Sequence, residues 1–151
     1  MVIWIDGDAC PKACKEIIFR RVAKQGLKTI LVANSYQQIT QFANVQLIMV
    51  SQEPDAADRY ILEHSALSDL VISSDIPLAS LLVKKGVTTI SFHGEKFSPS
   101  NVGDRLATRD LMTHLREGGE MTKGIGAYSE KDKQRFASCF DAQLAALATK
   151  V

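Results

Sequence analysis

The sequence predicts an α/β domain with a mostly parallel central sheet of about five strands, helices on both faces and two further helices at the C-terminal end. Three observations predict it. Short apolar runs rich in β-branched residues recur as far as Phe92. Helical spacing follows most of these runs, and proline opens three of those helices, two of which end at a glycine.

The elements follow in order. Val2 to Ile5 suits a strand buried on both faces. Pro11 stands where a first helical residue would, and Ala13, Ile17, Ile18 and Val22 repeat at helical spacing until Gly26. Thr29 to Ala33 is a second buried strand, and residues 34–44 read as a polar loop. Val45 to Val50 is a third strand, and Pro54 opens a helix whose first turn holds Asp55 and Asp58. Asp69 to Ser73 is a fourth strand, Pro77 to about Lys85 a third helix ended by Gly86, and Val87 to Phe92 a fifth strand. Beyond Phe97 the pattern turns helical. Val102, Leu106, Leu111 and Leu115 mark one side of a helix over 101–116, and a glycine-rich loop through Gly126 follows. Ser129-Glu130-Lys131-Asp132 is a capping-box variant opening a last helix striped by Phe136, Phe140, Leu144 and Leu147.

The 151 residues suit one domain, 1–151, within the usual range of about 100–200 residues. Hydrophobic residues at 46% and charged residues at 23% place the chain among ordinary globular proteins rather than disordered ones. A net charge of +1 gives no global attraction to nucleic acid or acidic membranes. Three cysteines and no secretory leader predict reduced thiols in a cytoplasmic protein. No apolar run reaches the roughly 18 residues of a membrane span, so no membrane partner is expected.

Ligands of an open parallel sheet bind beyond the carboxyl ends of its strands. Asp6 and Asp8 follow the first strand, Asp75 follows the fourth, and Asp55 and Asp58 open the helix after the third. Taken singly, Asp8 and Asp75 read as helix caps and Asp55 as a favourable first-turn charge. Taken together, three strand ends send carboxylates to one edge, where they repel unless a cation joins them. Mg²⁺ or Mn²⁺ is the expected cofactor, because both prefer oxygen ligands. Two residues apart in extended chain, Asp6 and Asp8 are expected to point the same way. At i and i+3, Asp55 and Asp58 share a helix face. Asp69 begins its strand and belongs to the opposite edge.

Around this cluster Ser73 and Ser74 are placed to orient Asp75 or to meet a substrate phosphate. Lys96, Arg105 and Arg109 are candidate phosphate contacts, the two arginines lying four apart on one helix. Cys10 and Cys14 read as buried thiols, although a helix N-terminus beside Cys10 would lower its pKa. His64, His93 and His114 are read as non-catalytic by default, while His93-Gly94-Glu95-Lys96 follows the fifth strand at the functional edge, where a substrate role is open.

The whole chain resembles the YaiI/YqxD family of small bacterial proteins. The resemblance rests on Trp4-Ile5-Asp6-Gly7-Asp8-Ala9-Cys10-Pro11, Val32-Ala33-Asn34, Asp55-Ala56-Ala57-Asp58 and the run from Asp69 to Ala79 that contains Ser73-Ser74-Asp75. Gly94-Glu95, Arg105 and Arg109-Asp110 continue it. Gly7 departs from the alanine more usual there, and Lys123-Gly124-Ile125-Gly126 replaces an expected Gly-Gly-Pro run. The family in turn looks like a branch of the PIN-like nucleases, whose acidic positions Asp6, Asp58 and Asp75 match. This implies metal-dependent phosphodiester hydrolysis, with RNA rather than DNA as substrate. Asp6, Asp58 and Asp75 would hold the metal with Asp8 and Asp55 assisting, Asp6, Asp8, Asp58 and Asp75 would be catalytic, and Asn34 would contact substrate. Two other readings compete. Asp6-Gly7-Asp8 resembles the Asp-x-Asp opening of haloacid-dehalogenase phosphatases, with Asp6 as nucleophile, and a non-catalytic nucleic-acid-binding module could keep the same acidic pocket.

Overall fold

A computed structural model describes residues 1–39, 44–107 and 127–149. Five strands form the sheet: β1 (Ile3–Asp6), β2 (Thr29–Ala33), β3 (Val45–Met49), β4 (Leu70–Ile72) and β5 (Thr88–Ile90). Their order is β3-β2-β1-β4-β5 and every pairing is parallel. Helices α1 (Lys12–Gln25), α2 (Ala56–His64) and α3 (Ile76–Lys85) fill the crossovers. Helix α4 covers residues 99–107 of the described chain, and α5 (Glu130–Ala148) ends the fold. Arg109, the second half of the predicted α4 stripe and the glycine-rich loop lie outside the described residues.

The strands alternate strictly between two cores. Ile3, Ile5, Leu31, Leu70, Ile72 and Ile90 pack with α1 and with Phe136, Phe140, Leu144 and Leu147 of α5. Trp4, Ile30, Val32 and Val71 pack with Ile61 of α2 and with Leu78 and Leu82 of α3. The side-chain period of two fixes this division, since neighbouring strand residues face opposite ways. Both faces are therefore covered, which is why the strands read as continuous apolar runs.

Several boundaries differ from the sequence expectation by a residue or two. Pro11 caps α1 instead of opening it, and α2 starts at Ala56 with Asp55 as its N-cap. Asp75 caps α3 through its side chain, which accepts from the Leu78 N–H at 2.9 Å. Ser129 and Asp132 form the full capping box of α5.

The chain leaves β1 toward β2 on one side and reaches β4 on the other. The β1/β4 junction is thus the point where strand order reverses. A crevice opens there at the carboxyl ends, because the connections depart in opposite directions. Asp6 ends β1, and Ser73, Ser74 and Asp75 follow β4, so the crevice is acidic from the start.

Candidate active site

Asp6 continues the Trp4 face of β1, the face that α2 and α3 cover. It is 7% exposed and accepts a hydrogen bond from the Ser73 hydroxyl at 3.1 Å. Burial, with Asp75 and Asp8 nearby, raises its pKa despite that bond. Asp75 spends one oxygen on the α3 cap, and its own N–H donates to Ser73 Oγ at 3.1 Å. Asp58 stands in the first turn of α2. Its carboxyl is pushed up to about 7 by burial, by the charges of Asp75 and Asp6, and by a hydrogen bond with Asp75. The three aspartates that the sequence placed at three separate elements therefore lie within electrostatic reach of one another.

The charges of Asp75 and Asp6 both reach Asp58, Asp75 with the larger effect. Among the described residues, no three His, Cys, Asp or Glu side chains stand ready as a metal-ligand group. A hard cation that keeps several waters and takes one or two carboxylates suits this donor set better than one needing a full protein cage. Asp58 and Asp75 would hold the ion, with Asp6 beside them.

Other predicted site residues are placed differently. The strand ends at Asp6 and residues 7–9 form a turn, so Asp8 does not continue the Asp6 direction. Its oxygens accept from the Asn34 N–H at 2.7 Å and from the Ser35 hydroxyl at 2.8 Å. Asp8 thus fastens the loop after β2, and Asn34 meets it through the backbone. Asp55 is exposed and lies 3.4 Å from Arg59 in an i,i+4 ion pair, which makes it a surface charge at the rim. Ser74 is fixed by accepting from the Phe92 N–H at 3.0 Å. Arg105 is ion-paired with Glu95, which raises its pKa. Lys96 is exposed and lies near Cys139. Gly7 is buried, and an alanine Cβ there would sit 2.9 Å from Leu31, so Leu31 would have to move. Cys10 does not gain a reactive thiolate. A hydrogen bond with Cys14 and burial push its thiol well up.

Asp6 and Asp75 line a cavity of about 380 Å³ together with Pro11, Ser74, His93 and Tyr128. A second cavity of about 520 Å³ shares Ser74 and His93 and reaches Arg105 and Arg135. His93, which the sequence places at the functional edge after the fifth strand, thus borders both. Its position directly after β5, followed by Gly94, was the signal available.

A doubly covered parallel sheet with an acidic crevice at its switch point defines an α/β protein consistent with the PIN-like fold. The family model described as "Uncharacterized BCR, YaiI/YqxD family" matches residues 4–146, and the chain belongs to that family. It is 48% identical over 148 residues to a UPF0178 protein of Pseudomonas putida strain W619, covering 98% of this chain and 99% of the relative. A UPF0178 protein of Pseudomonas fluorescens strain Pf0-1 is 46% identical over 148 residues, with 98% of each chain covered. No solved structure matches the chain.

Proposed function

We propose that the protein is a Mg²⁺- or Mn²⁺-dependent nuclease that hydrolyses phosphodiester bonds, with RNA as its substrate in preference to DNA. One observation carries this reading. Asp6, Asp58 and Asp75 lie within electrostatic reach of one another at the switch-point crevice, and burial together with the charges of Asp75 and Asp6 pushes the Asp58 carboxyl up to about 7. Such a cluster is costly unless a proton or a cation sits in it. The preference for RNA follows from the resemblance to PIN-like nucleases.

When bound, a divalent ion would supply neutralising charge for the phosphate and a more acidic water. The chain does the rest. Ser73 fixes Asp6 through its hydroxyl and Asp75 by accepting its N–H, so one serine sets the spacing of two acids. The α3 cap holds the Asp75 side chain in one rotamer. The carboxylates accept a proton from the attacking water. Arg105 lies along the adjoining cavity, where a neighbouring phosphate of the strand would pass.

Mn²⁺ titration followed by electron paramagnetic resonance tests the reading. Wild type should bind one ion saturably, and the Asp6→Asn plus Asp75→Asn double variant should bind at least about tenfold more weakly. Unchanged Mn²⁺ affinity in that variant would dispose of the metal site. Cleavage of labelled RNA and DNA in Mn²⁺ and in chelator supplies the second readout. RNA binding that survives chelator without cleavage under any metal selects the non-catalytic module, and a fluoroaluminate adduct on Asp6 selects the phosphatase.

A further inference from the structure

We propose that His93, oriented by Asp132, gives the departing oxygen its proton when this site cleaves a phosphodiester. The inference rests on the nuclease reading and assigns a residue that reading does not use.

The turn that carries His93 is tightly built. The His93 and Glu95 N–H groups both donate to Ser91 Oγ, at 3.2 and 3.1 Å, and the Gly94 N–H donates to the Ser91 carbonyl at 3.2 Å. Gly94 has φ +84°, and a Cβ there would lie 2.4 Å from the Arg135 backbone of α5. Only glycine lets the loop press so closely on the helix. The ring of His93 is thereby registered against the first turns of α5.

At that point α5 offers an acceptor. Asp132 Oδ2 takes the Ser129 N–H and hydroxyl, both at 2.9 Å, which completes the capping box. The cap needs only that oxygen. Asp132 Oδ1 lies 3.2 Å from His93 Nδ1. The Tyr128 ring packs 5.7 Å from the imidazole, and its hydroxyl donates to the Phe92 carbonyl at 2.5 Å. A carboxylate at Nδ1 keeps the proton on that nitrogen and leaves Nε2 to exchange a proton with an occupant of the cleft. Among the described residues Nε2 has no hydrogen-bond partner. The side chain is 48% exposed, so a substrate can reach it.

The place matches the task. His93 lines the same cavity of about 380 Å³ as Asp6 and Asp75, so a phosphodiester bound there would have the imidazole and the carboxylates on its walls. In the step, a water oxygen bonds to phosphorus while the bond from phosphorus to the leaving oxygen breaks. One water proton passes to the carboxylates. The Nε2 proton of the imidazolium passes to the leaving oxygen, and solvent then reprotonates the ring. Asp132 is a positioning residue, because it acts through His93.

Leaving-group dependence tests the proposal with Mn²⁺-loaded full-length protein. The substrates are an oligoribonucleotide and a 4-nitrophenyl ester of a uridine phosphate, whose nitrophenolate departs without a proton. His93→Asn should slow oligoribonucleotide cleavage by about 10²–10⁴-fold and ester cleavage by no more than about threefold. Asp132→Asn, which keeps a capping oxygen, should show a smaller loss with the same substrate difference. Equal losses on both substrates, no loss on either, or weakened Mn²⁺ binding in His93→Asn would each overturn the role while leaving the nuclease reading in place. Wild type that cleaves neither substrate removes the nuclease reading and this role with it. Urea unfolding of both variants separates these outcomes from a failure to fold.

Discussion

Strands β1 and β4 lie side by side, and each end of the pair buries an aspartate. At the amino end Asp69 is 5% exposed and accepts three donors: the Val2 N–H, the Trp4 indole N–H and the Ala66 N–H, at 2.9, 3.0 and 2.9 Å. At the carboxyl end Asp6 is 7% exposed, accepts one hydroxyl and faces other acids. Depth in the fold is nearly equal, so burial alone does not separate a structural acid from a candidate functional one. The difference lies in what surrounds the charge. Asp69 is complemented by protein donors and ties the first strand to the turn before β4. Among the described residues no ion pair reaches Asp6, Asp58 or Asp75, a deficit that a cation would fill.

Breaking the satisfied end should have the largest effect. Asp69→Ala strands three donors, and urea unfolding should report a loss of about 3 kcal/mol or more. A loss below about 0.5 kcal/mol would mean the network is not what closes that edge.

The acidic end should respond to pH, and with the opposite sense from a salt-bridged carboxylate. Asp58 has its folded pKa raised from 3.8 to about 7, so the folded state holds its proton longer than the unfolded chain does. Its contribution to stability is present in acid and is lost as pH rises from about 4 through about 7. For a half-exposed group the loss is on the order of 1–2 kcal/mol after solvent screening. Asp58→Asn should flatten the metal-free unfolding profile across that window, and Mn²⁺ should restore stability to wild type above it. An unchanged pH slope in Asp58→Asn would assign the effect elsewhere.

The smallest effect belongs to the rim. Asp55→Asn removes an exposed ion pair with Arg59 and should change stability by less than about 0.5 kcal/mol and Mn²⁺ affinity by less than about threefold. A large loss of Mn²⁺ affinity would return Asp55 to the site.

Comparison of the two ends also explains what the sequence could reveal. The sheet was legible because each strand is a short buried run, and Thr29 to Ala33 matched to the residue. Asp6, Asp58 and Asp75 were legible because strand order places their elements at one edge. Asp69 was rightly assigned to the other. Asp8 was less so, since the turn at residues 7–9 and the bonds to Asn34 and Ser35 are matters of chain path, not of spacing. Asp55 shares a helix turn with Asp58 but sits at the cap, where it turns outward to Arg59. The pairing of His93 with Asp132 was not legible, because Asp132 already had a local explanation as a capping residue. A side chain with two oxygens can serve two neighbours, and only coordinates reveal the second.

The chain also folds back along its outermost strand. Lys96 bridges Ile90 antiparallel, the Ser91 N–H donates to the Glu95 carbonyl at 2.8 Å, and the Phe97 N–H donates to the Thr89 carbonyl at 2.9 Å. That return seals the β5 margin of the sheet with its own backbone. No described segment does the same for β3, where Met49 is 56% exposed. Among the described elements β3 is thus the margin open to strand addition, and a charged residue introduced at Met49 is a way to guard it.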